Sequence, residues 1–342
     1  MKKLLNTLYI TDENAYLSLD GETVLITKGD GNKVNIPLIN IENIVTFSYK
    51  GMSPALMGKC VEYNKNISMY TPNGKHICNV CSTTNGNVFL RTAQYKIAES
   101  DTGLQYVKNM IIGKAHNQKY LLLQYKNSHP MSVDQNKILK ISNNISRYIN
   151  DIKVANNINS IRGIEGNISA EYFSCFDDLI LRDKNNFFFD GRNRRPPTDN
   201  VNALLSFVYS ILSNECAAAL QSVGLDPYVG FMHTLRPGRK SLALDLVEEL
   251  RACYADRFVL TLINKQIISA NDFTKQETGA VLINDDARKK LLSKWQDKKK
   301  EEITHPFLKE KVPWGLVPYV QSMLLARTIR GDLEQYPMFL WK

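Results

Sequence analysis

The sequence predicts an α+β chain. A small N-terminal β-rich domain, a sheet or sandwich, is expected over residues 1–85, and a larger, mostly α-helical domain over residues 86–342. Three observations carry this. In the first part, short β-prone runs are punctuated by Asp20-Gly21, Asp30-Gly31 and Asn73-Gly74, pairs that favour tight hairpin turns. After Asn85-Gly86 the apolar residues recur at helical spacing and strand signals fade. The chain has 342 residues, more than one core ordinarily serves, so two domains are expected.

Leu4 to Ile10 is an apolar, β-prone start. Ala15 to Leu19 and Thr23 to Thr27 flank the first turn pair, and Lys33 to Leu38 follows the second. Ile44 to Phe47 is a further strand candidate. Ser53-Pro54 reads as an N-cap with proline at the first helical position, opening a short helix through Tyr63. Ile67 to Tyr70 and Lys75 to Cys81 flank the third turn pair. No βαβ rhythm is visible.

Helical spacing then marks Leu104 to Gln124 and Asp134 to Asn150. In the next helix Ile158, Ile161, Ile168 and Tyr172 form an apolar stripe, and Glu165 falls on it. A carboxylate in a core-facing position is costly unless something compensates it. Gly163 and Gly166 flank it, which suggests a close approach by a backbone or a ligand. The alternative is a partly exposed helix whose glutamate reaches water or pairs with Arg162. Phe187, Phe188 and Phe189 read as a core plug before a loop in which Arg192, Arg194 and Arg195 are phosphate-contact candidates. Thr198-Asp199 caps a helix to about Leu220, on which Asn202, Ser206 and Tyr209 could line one side of a groove.

The densest signal lies between His233 and Arg251. A histidine precedes a basic turn, Arg236-Pro237-Gly238-Arg239-Lys240, and a helix then carries Asp245 and Glu248 three residues apart, on one face. Imidazole and carboxylates suit a divalent cation, and the cationic groups suit phosphate. The stripe Ser241, Asp245, Glu248, Ala252 and Ala255 is small or acidic beside the apolar stripe Ala243, Val247, Leu250 and Tyr254, which leaves room for a ligand. Glu249 is a further acid that could pair with a basic side chain. Arg257 to Ile268 reads as helical core, Asp285 to Glu302 as a solvated charged helix, and Trp314 to Arg330 as a final amphipathic helix. The apolar ending Tyr336 to Trp341 could dock on the core or on a partner.

Composition bounds the function. Apolar content of 44% and charged content of 23% are ordinary for a soluble globular protein. No long apolar run stands out, so no transmembrane helix and no membrane partner are expected. Asn6, Thr7 and Asp12 interrupt the start before a signal-peptide core develops. Six cysteines in a chain this long make no disulfide framework, so a cytoplasmic location is expected. A net charge of +9 favours polyanionic partners. Cys78 and Cys81, with His76, supply only half of a zinc site, and a hairpin explains them.

Three stretches together resemble a known family: Arg162 to Gly166, Arg195 to Tyr209, and His233 to Arg251, with Asp256-Arg257 and Arg330-Gly331-Asp332 also fitting. The chain resembles the CRISPR-associated integrase, the endonuclease of the spacer-acquisition step, most closely its type I-C form. The resemblance implies a catalytic helical domain, with dimerisation and partner contacts assigned to residues 1–85. It implies metal ligands at Glu165, His233 and Glu248, with Asp245 as a further acid. The family often has aspartate where this chain has Glu248, which leaves Asp245 and Glu248 as rival direct ligands. The implied cofactor is Mg²⁺ or Mn²⁺. The implied reaction is attack of a DNA 3′-hydroxyl on a phosphodiester of a CRISPR array, with cleavage of branched DNA as its hydrolytic counterpart. Arg162, Arg194, Arg195, Tyr209, Arg236, Arg239 and Lys240 are the DNA-contact candidates, Tyr209 for positioning. The implied partners are DNA, a second copy in a homodimer, a small ferredoxin-like CRISPR-associated protein, and an iron–sulfur CRISPR-associated nuclease.

Overall fold

A computed structural model describes residues 7–71, 76–80, 88–193 and 196–342. The chain divides into two compact units, and the first is not one continuous stretch. It comprises Met1–Thr84 together with Leu282–Glu301 and Pro313–Leu316. Chain that the sequence reading assigned wholly to residues 86–342 therefore returns to the first unit.

Two sheets form the first unit. Strands β1 (Thr7–Ile10), β5 (Asn43–Thr46), β6 (Asn66–Tyr70) and β7 (His76–Val80) make a mixed sheet in the order β1-β5-β6-β7. Strands β2 (Tyr16–Asp20), β3 (Thr23–Thr27) and β4 (Lys33–Pro37) make an antiparallel meander. Gly21 and Gly31 turn its two corners with φ of 55° and 86°, a region open to glycine at little cost. Helix α1 (Pro54–Glu62) starts as the sequence predicts, with Ser53 Oγ accepting from Leu56 N at 3.2 Å. The expectation of no βαβ unit fails, because β5 and β6 run parallel and α1 is their crossover. Hairpin signals surround this unit, and its helix is too short to show a long 3.6-residue period. Leu17, Val24, Leu38, Ile44, Leu56, Cys60 and Ile67 fill one core.

The helix Asp285–Lys300 belongs to this unit and is not the solvated helix expected from its charges. Leu291, Leu292 and Trp295 are buried, and Arg288 lies over the Phe47 ring at 5.4 Å. Lys298 and Lys299 are buried too, and Lys299 Nζ reaches Thr7 Oγ1 at 3.1 Å. Long basic side chains here cover apolar surface with their stems.

The second unit is helical: α2 (Val88–Ala98), α3 (Gly103–Ser128), α4 (Gln135–Val154), α5 (Ile158–Ser174), α6 (Asn200–Ser222), α7 (Ser241–Leu250) and α8 (Arg257–Asn264). The helix Asp285–Lys300 is α9 in chain order, and α10 (Val317–Ile329) closes the second unit. Short ribbons pair β8 (Phe273–Lys275) with β9 (Val281–Ile283) and β10 (Glu302–Thr304) with β11 (Lys311–Pro313). Asp134, Asn157 and Asp199 cap α4, α5 and α6 by accepting the N–H three residues on, each worth about 1 kcal/mol.

By length and composition α6 could cross a bilayer, which the sequence reading did not register. It is a core helix instead: Val201, Leu204, Leu205, Val208 and Leu212 are fully buried as it packs on α7 and α10. Helix α3 is the central neighbour, packing on α4, α5 and α7. The C-terminal tail docks on this unit. Asn109 Nδ2 donates to Tyr336 O, Asn117 Nδ2 donates to Phe339 O, both at 2.8 Å, and Trp341 N donates to Asn117 Oδ1 at 2.9 Å. Buried amides thus satisfy an irregular backbone that has no strand to pair with.

Candidate functional site

The site grows from the first turn of α7. Arg236 to Arg239 forms a turn with Pro237 and Gly238 at its centre, closed by Arg239 N donating to Arg236 O at 3.0 Å. Gly238 has φ of 72°, the conformation a type II turn demands at that place. The segment before it folds back over α7. Asp245 Oδ2 accepts from Phe231 N (2.7 Å) and Met232 N (3.0 Å). Its Oδ1 accepts from His233 N (3.0 Å) and from His233 Nδ1 (2.6 Å). A carboxylate has about four acceptor positions, and these four donors fill them. A carboxylate only accepts, so the proton of the neutral ring sits on Nδ1 and Nε2 keeps a free lone pair. Asp245 therefore orients His233, which separates it from Glu248 as a candidate direct ligand.

This clasp needs Gly230. A Cβ there would stand 2.6 Å from Asp245 Oδ2 and 2.7 Å from the Ser241 carbonyl carbon. No pattern in the sequence marks this glycine.

The other two acids meet through a residue the sequence reading also missed. Lys114, on α3 and 3% exposed, puts its ammonium in contact with Glu165 Oε1 on α5 and 2.8 Å from Glu248 Oε2 on α7. Ser169, one turn after Glu165, donates to the same Glu165 oxygen at 2.9 Å. So Glu165 does lie where an apolar stripe meets polar partners, but its cation is Lys114 and not Arg162. On the far side, Arg251 Nη2 holds Glu248 Oε1 at 2.8 Å. Burial works against a charged Glu248, yet Arg251 and Lys114 outweigh it and hold its carboxyl down at about 2. Glu248 Oε2 is buried, and it meets the Lys114 ammonium at 2.8 Å.

Arg251 begins a π-helical turn, Arg251–Asp256, between α7 and α8. The sequence stripe runs true only to Glu248. Beyond it the wider turn brings Asp256 to Tyr172 OH (2.8 Å) and to Tyr209 OH. Burial pushes the Asp256 carboxyl up to about 6 against those two hydrogen bonds. The Tyr209 ring lies between Arg192 and Arg251, with cation-to-centroid distances of 5.2 and 4.8 Å. Tyr209 is thus a partly buried prop for Arg251, held through its ring and its hydroxyl. Asn202 and Ser206 likewise serve Arg192.

Among the described residues, no group of three or more His, Cys, Asp and Glu side chains stands ready to hold a metal. The structure groups the predicted set as two pairs, His233 with Asp245 and Glu165 with Glu248, the second bridged by Lys114. The cationic candidates also divide. Arg162 donates from Nε and Nη2 to Met232 O and from Nη1 to Asn159 Oδ1, so it clamps the His233 segment. Lys240 turns inward to Asn214 Oδ1 at 2.7 Å. Arg236 is exposed and Arg239 half-buried. Arg194 and Arg195 lie outside the described residues, as does Cys81 of the demoted zinc pair.

Glu249 faces away from all of this. It is fully buried, accepts from Phe339 N (2.7 Å) and Gln321 Nε2 (3.2 Å), and has its carboxyl pushed up to about 8 by burial. It anchors the C-terminal tail and pairs with no basic group among the described residues.

Comparison with known proteins adds the lineage. Residues 8–297 match the family model described as CRISPR associated protein Cas1. The chain is 44% identical over 343 residues to a CRISPR-associated endonuclease Cas1 of Chlorobaculum tepidum, and 44% over 346 residues to one of Rhodospirillum rubrum, with the full length of each covered. It is 31% identical to a Cas4 exonuclease/Cas1 endonuclease fusion of Geobacter sulfurreducens, covering 97% of this chain and 60% of the fusion. Among solved structures, a casposase bound to its integration product superposes with a TM-score of 0.85 at 22% identity, covering 98% of this chain and 94% of that one. A chain of a Cas6-RT-Cas1–Cas2 complex superposes at 0.81 and 21% identity, covering all of this chain and 36% of that one. Both share the fold.

Proposed function

The chain belongs to the CRISPR associated protein Cas1 family of endonucleases, and from that premise we propose a divalent-metal-dependent DNA integrase of the type I-C form. It inserts short foreign DNA segments into a CRISPR array by attack of a 3′-hydroxyl on a phosphodiester, and cleaves branched DNA when water replaces that hydroxyl.

The observation that carries the reading is the pair Glu165 and Glu248, drawn from two helices onto one cation beside a histidine already oriented by a carboxylate. A site that holds an ammonium between two carboxylates suits a cation, and Glu165 Oε1 and the buried Glu248 Oε2 are the oxygens it presents. The His233–Asp245 pair has the form in which a ligating histidine gives its other N–H to a carboxylate. Glu165, Glu248 and His233 Nε2 would hold Mg²⁺ or Mn²⁺, the imidazole favouring Mn²⁺ more than an all-oxygen site would. When bound, the metal supplies charge stabilisation to the phosphoryl oxygens. The protein's own part is positioning: Arg251 and Asp245 fix the ligands, and Arg236 and Arg239 offer exposed and half-exposed charge to the DNA backbone.

For partners, the Geobacter fusion supports an iron–sulfur nuclease of the Cas4 kind, and the complex that shares this fold supports a small ferredoxin-like protein of the Cas2 kind. A homodimer joined through the β-rich unit, acting in the cytoplasm, completes the proposal.

The test is strand transfer. The protein and its small partner are incubated with a short duplex bearing free 3′-hydroxyls, a supercoiled plasmid carrying the array, and Mn²⁺ or Mg²⁺. Joined product with the native chain and none with Glu165→Ala is expected. Product that survives Glu165→Ala overturns the site. DNA binding without joining or cleavage under any divalent ion overturns the enzyme in favour of a scaffold.

A further inference from the structure

Lys114 is the unexplained member of the site. Its position is built with care. Gly113, its neighbour on α3, lacks a side chain where a Cβ would come within 3.2 Å of Glu249 Cγ and 3.4 Å of Met338 Cβ. That lets α3 lie close on α7, so that the next residue reaches between Glu248 and Glu165. Burying an ammonium is expensive, and so is burying two carboxylates near each other, and each here offsets the other. The ammonium stands between Glu165 Oε1 and Glu248 Oε2, the two sides from which a divalent ion would draw oxygens. Mg²⁺ requires oxygens at about 2.0–2.1 Å in near-octahedral order. An ammonium in contact with both carboxylates and such an ion cannot share that space.

We propose that Lys114 is an internal competitor for the divalent-metal site: its ammonium holds Glu165 and Glu248 together before an ion arrives and must withdraw when one binds. This rests on the metal-dependent reading above. Lys114 is a positioning residue in this role, and two consequences follow from the competition. The metal-free fold is more stable with the lysine than without it. Metal affinity is weaker with the lysine than the same carboxylates and histidine would give alone, because binding must also break two ion pairs.

The experiment measures Mn²⁺ binding by the loss of the free-ion electron paramagnetic resonance signal, with thermal melting alongside, on the full chain. The variants are Lys114→Met, which keeps the length and removes the charge, and Lys114→Gln, which keeps a donor for one carboxylate should the methionine variant fail to fold. The expected result is a lower melting temperature without metal and about tenfold tighter Mn²⁺ binding, equal to about 1.4 kcal/mol. The rise in melting temperature on adding Mn²⁺ should also exceed that of the native chain. A lysine that is merely structural would lower stability without tightening the metal. Affinity that is unchanged or weaker in the folded variants overturns the proposal while native Mn²⁺ binding leaves the metal reading standing. Absence of Mn²⁺ binding by the native chain and both variants overturns the metal reading and the competition with it. Binding by the variants alone supports the competition in its strongest form.

Discussion

Glu248 and Glu249 sit side by side on α7, both removed from water, and their carboxyls are driven in opposite directions. Glu248 has cations on either side, Arg251 and Lys114, and is held down at about 2. Glu249 has no cation beside it among the described residues, and burial pushes it up to about 8 against the hydrogen bonds from a tail amide and a glutamine amide. The difference teaches that burial alone does not make an acid functional: it is the company kept on each face of the helix that decides charge. One face of α7 presents an ionised carboxylate to the site. The adjoining face stores a neutral carboxyl as an anchor for the C-terminal tail.

That comparison can be broken from either side. The largest effect is expected from Glu248→Ala, which leaves Lys114 and Arg251 buried with a lost partner. We expect about 3–5 kcal/mol less stability by urea unfolding and no strand transfer. The third acid of the helix is tested through Gly230→Ala. The added Cβ meets Asp245 Oδ2 and helix backbone, which should cost about 3 kcal/mol and release His233 from its clasp. Joining activity and the downfield histidine N–H resonance should both be lost.

The pH dependence of stability separates the two glutamates. Glu249 has a folded pKa raised from 4.5 to about 8, so its protonated form favours the fold. Stability is full below about 4.5 and falls as pH rises towards 8, by at most about 1.4 kcal/mol per pH unit. Glu249→Gln should flatten that fall. Glu248 is the reverse: its contribution is present above 4.5 and lost as pH falls towards 2, so Glu248→Gln should lower stability above 4.5 and flatten that acid arm. Melting curves over a pH series read both. The smallest effect is expected from Arg236→Ala, on the exposed turn outside these buried pairs. Stability should stay within about 0.5 kcal/mol, while DNA affinity falls and its salt slope drops by about 1.

The sequence carried the site unevenly. Asp245 and Glu248 were legible because three-residue spacing fixes a shared helix face, and Glu165 because a carboxylate interrupts an apolar stripe. Their division of labour was not legible, since the four donors that fill Asp245 come from a loop whose path no helical period describes. Lys114 lies 51 residues before Glu165, among other lysines of α3, and its one local mark is the glycine before it. In the fold, Asp20-Gly21 and Asp30-Gly31 showed the two turns of the meander, while Asn73-Gly74 lies outside the described residues. The β5-α1-β6 crossover was hidden by its short helix, and the burial of α9 by its many charges. Charge density marks what a side chain's end requires and says little about where its stem packs.

The measurement that tests the central claim most directly is Mn²⁺ affinity in three proteins: the native chain, Glu248→Gln and Glu249→Gln. The account predicts binding weakened by more than about tenfold in Glu248→Gln and within about twofold of native in Glu249→Gln. Equal losses in both, or a loss confined to Glu249→Gln, would contradict it.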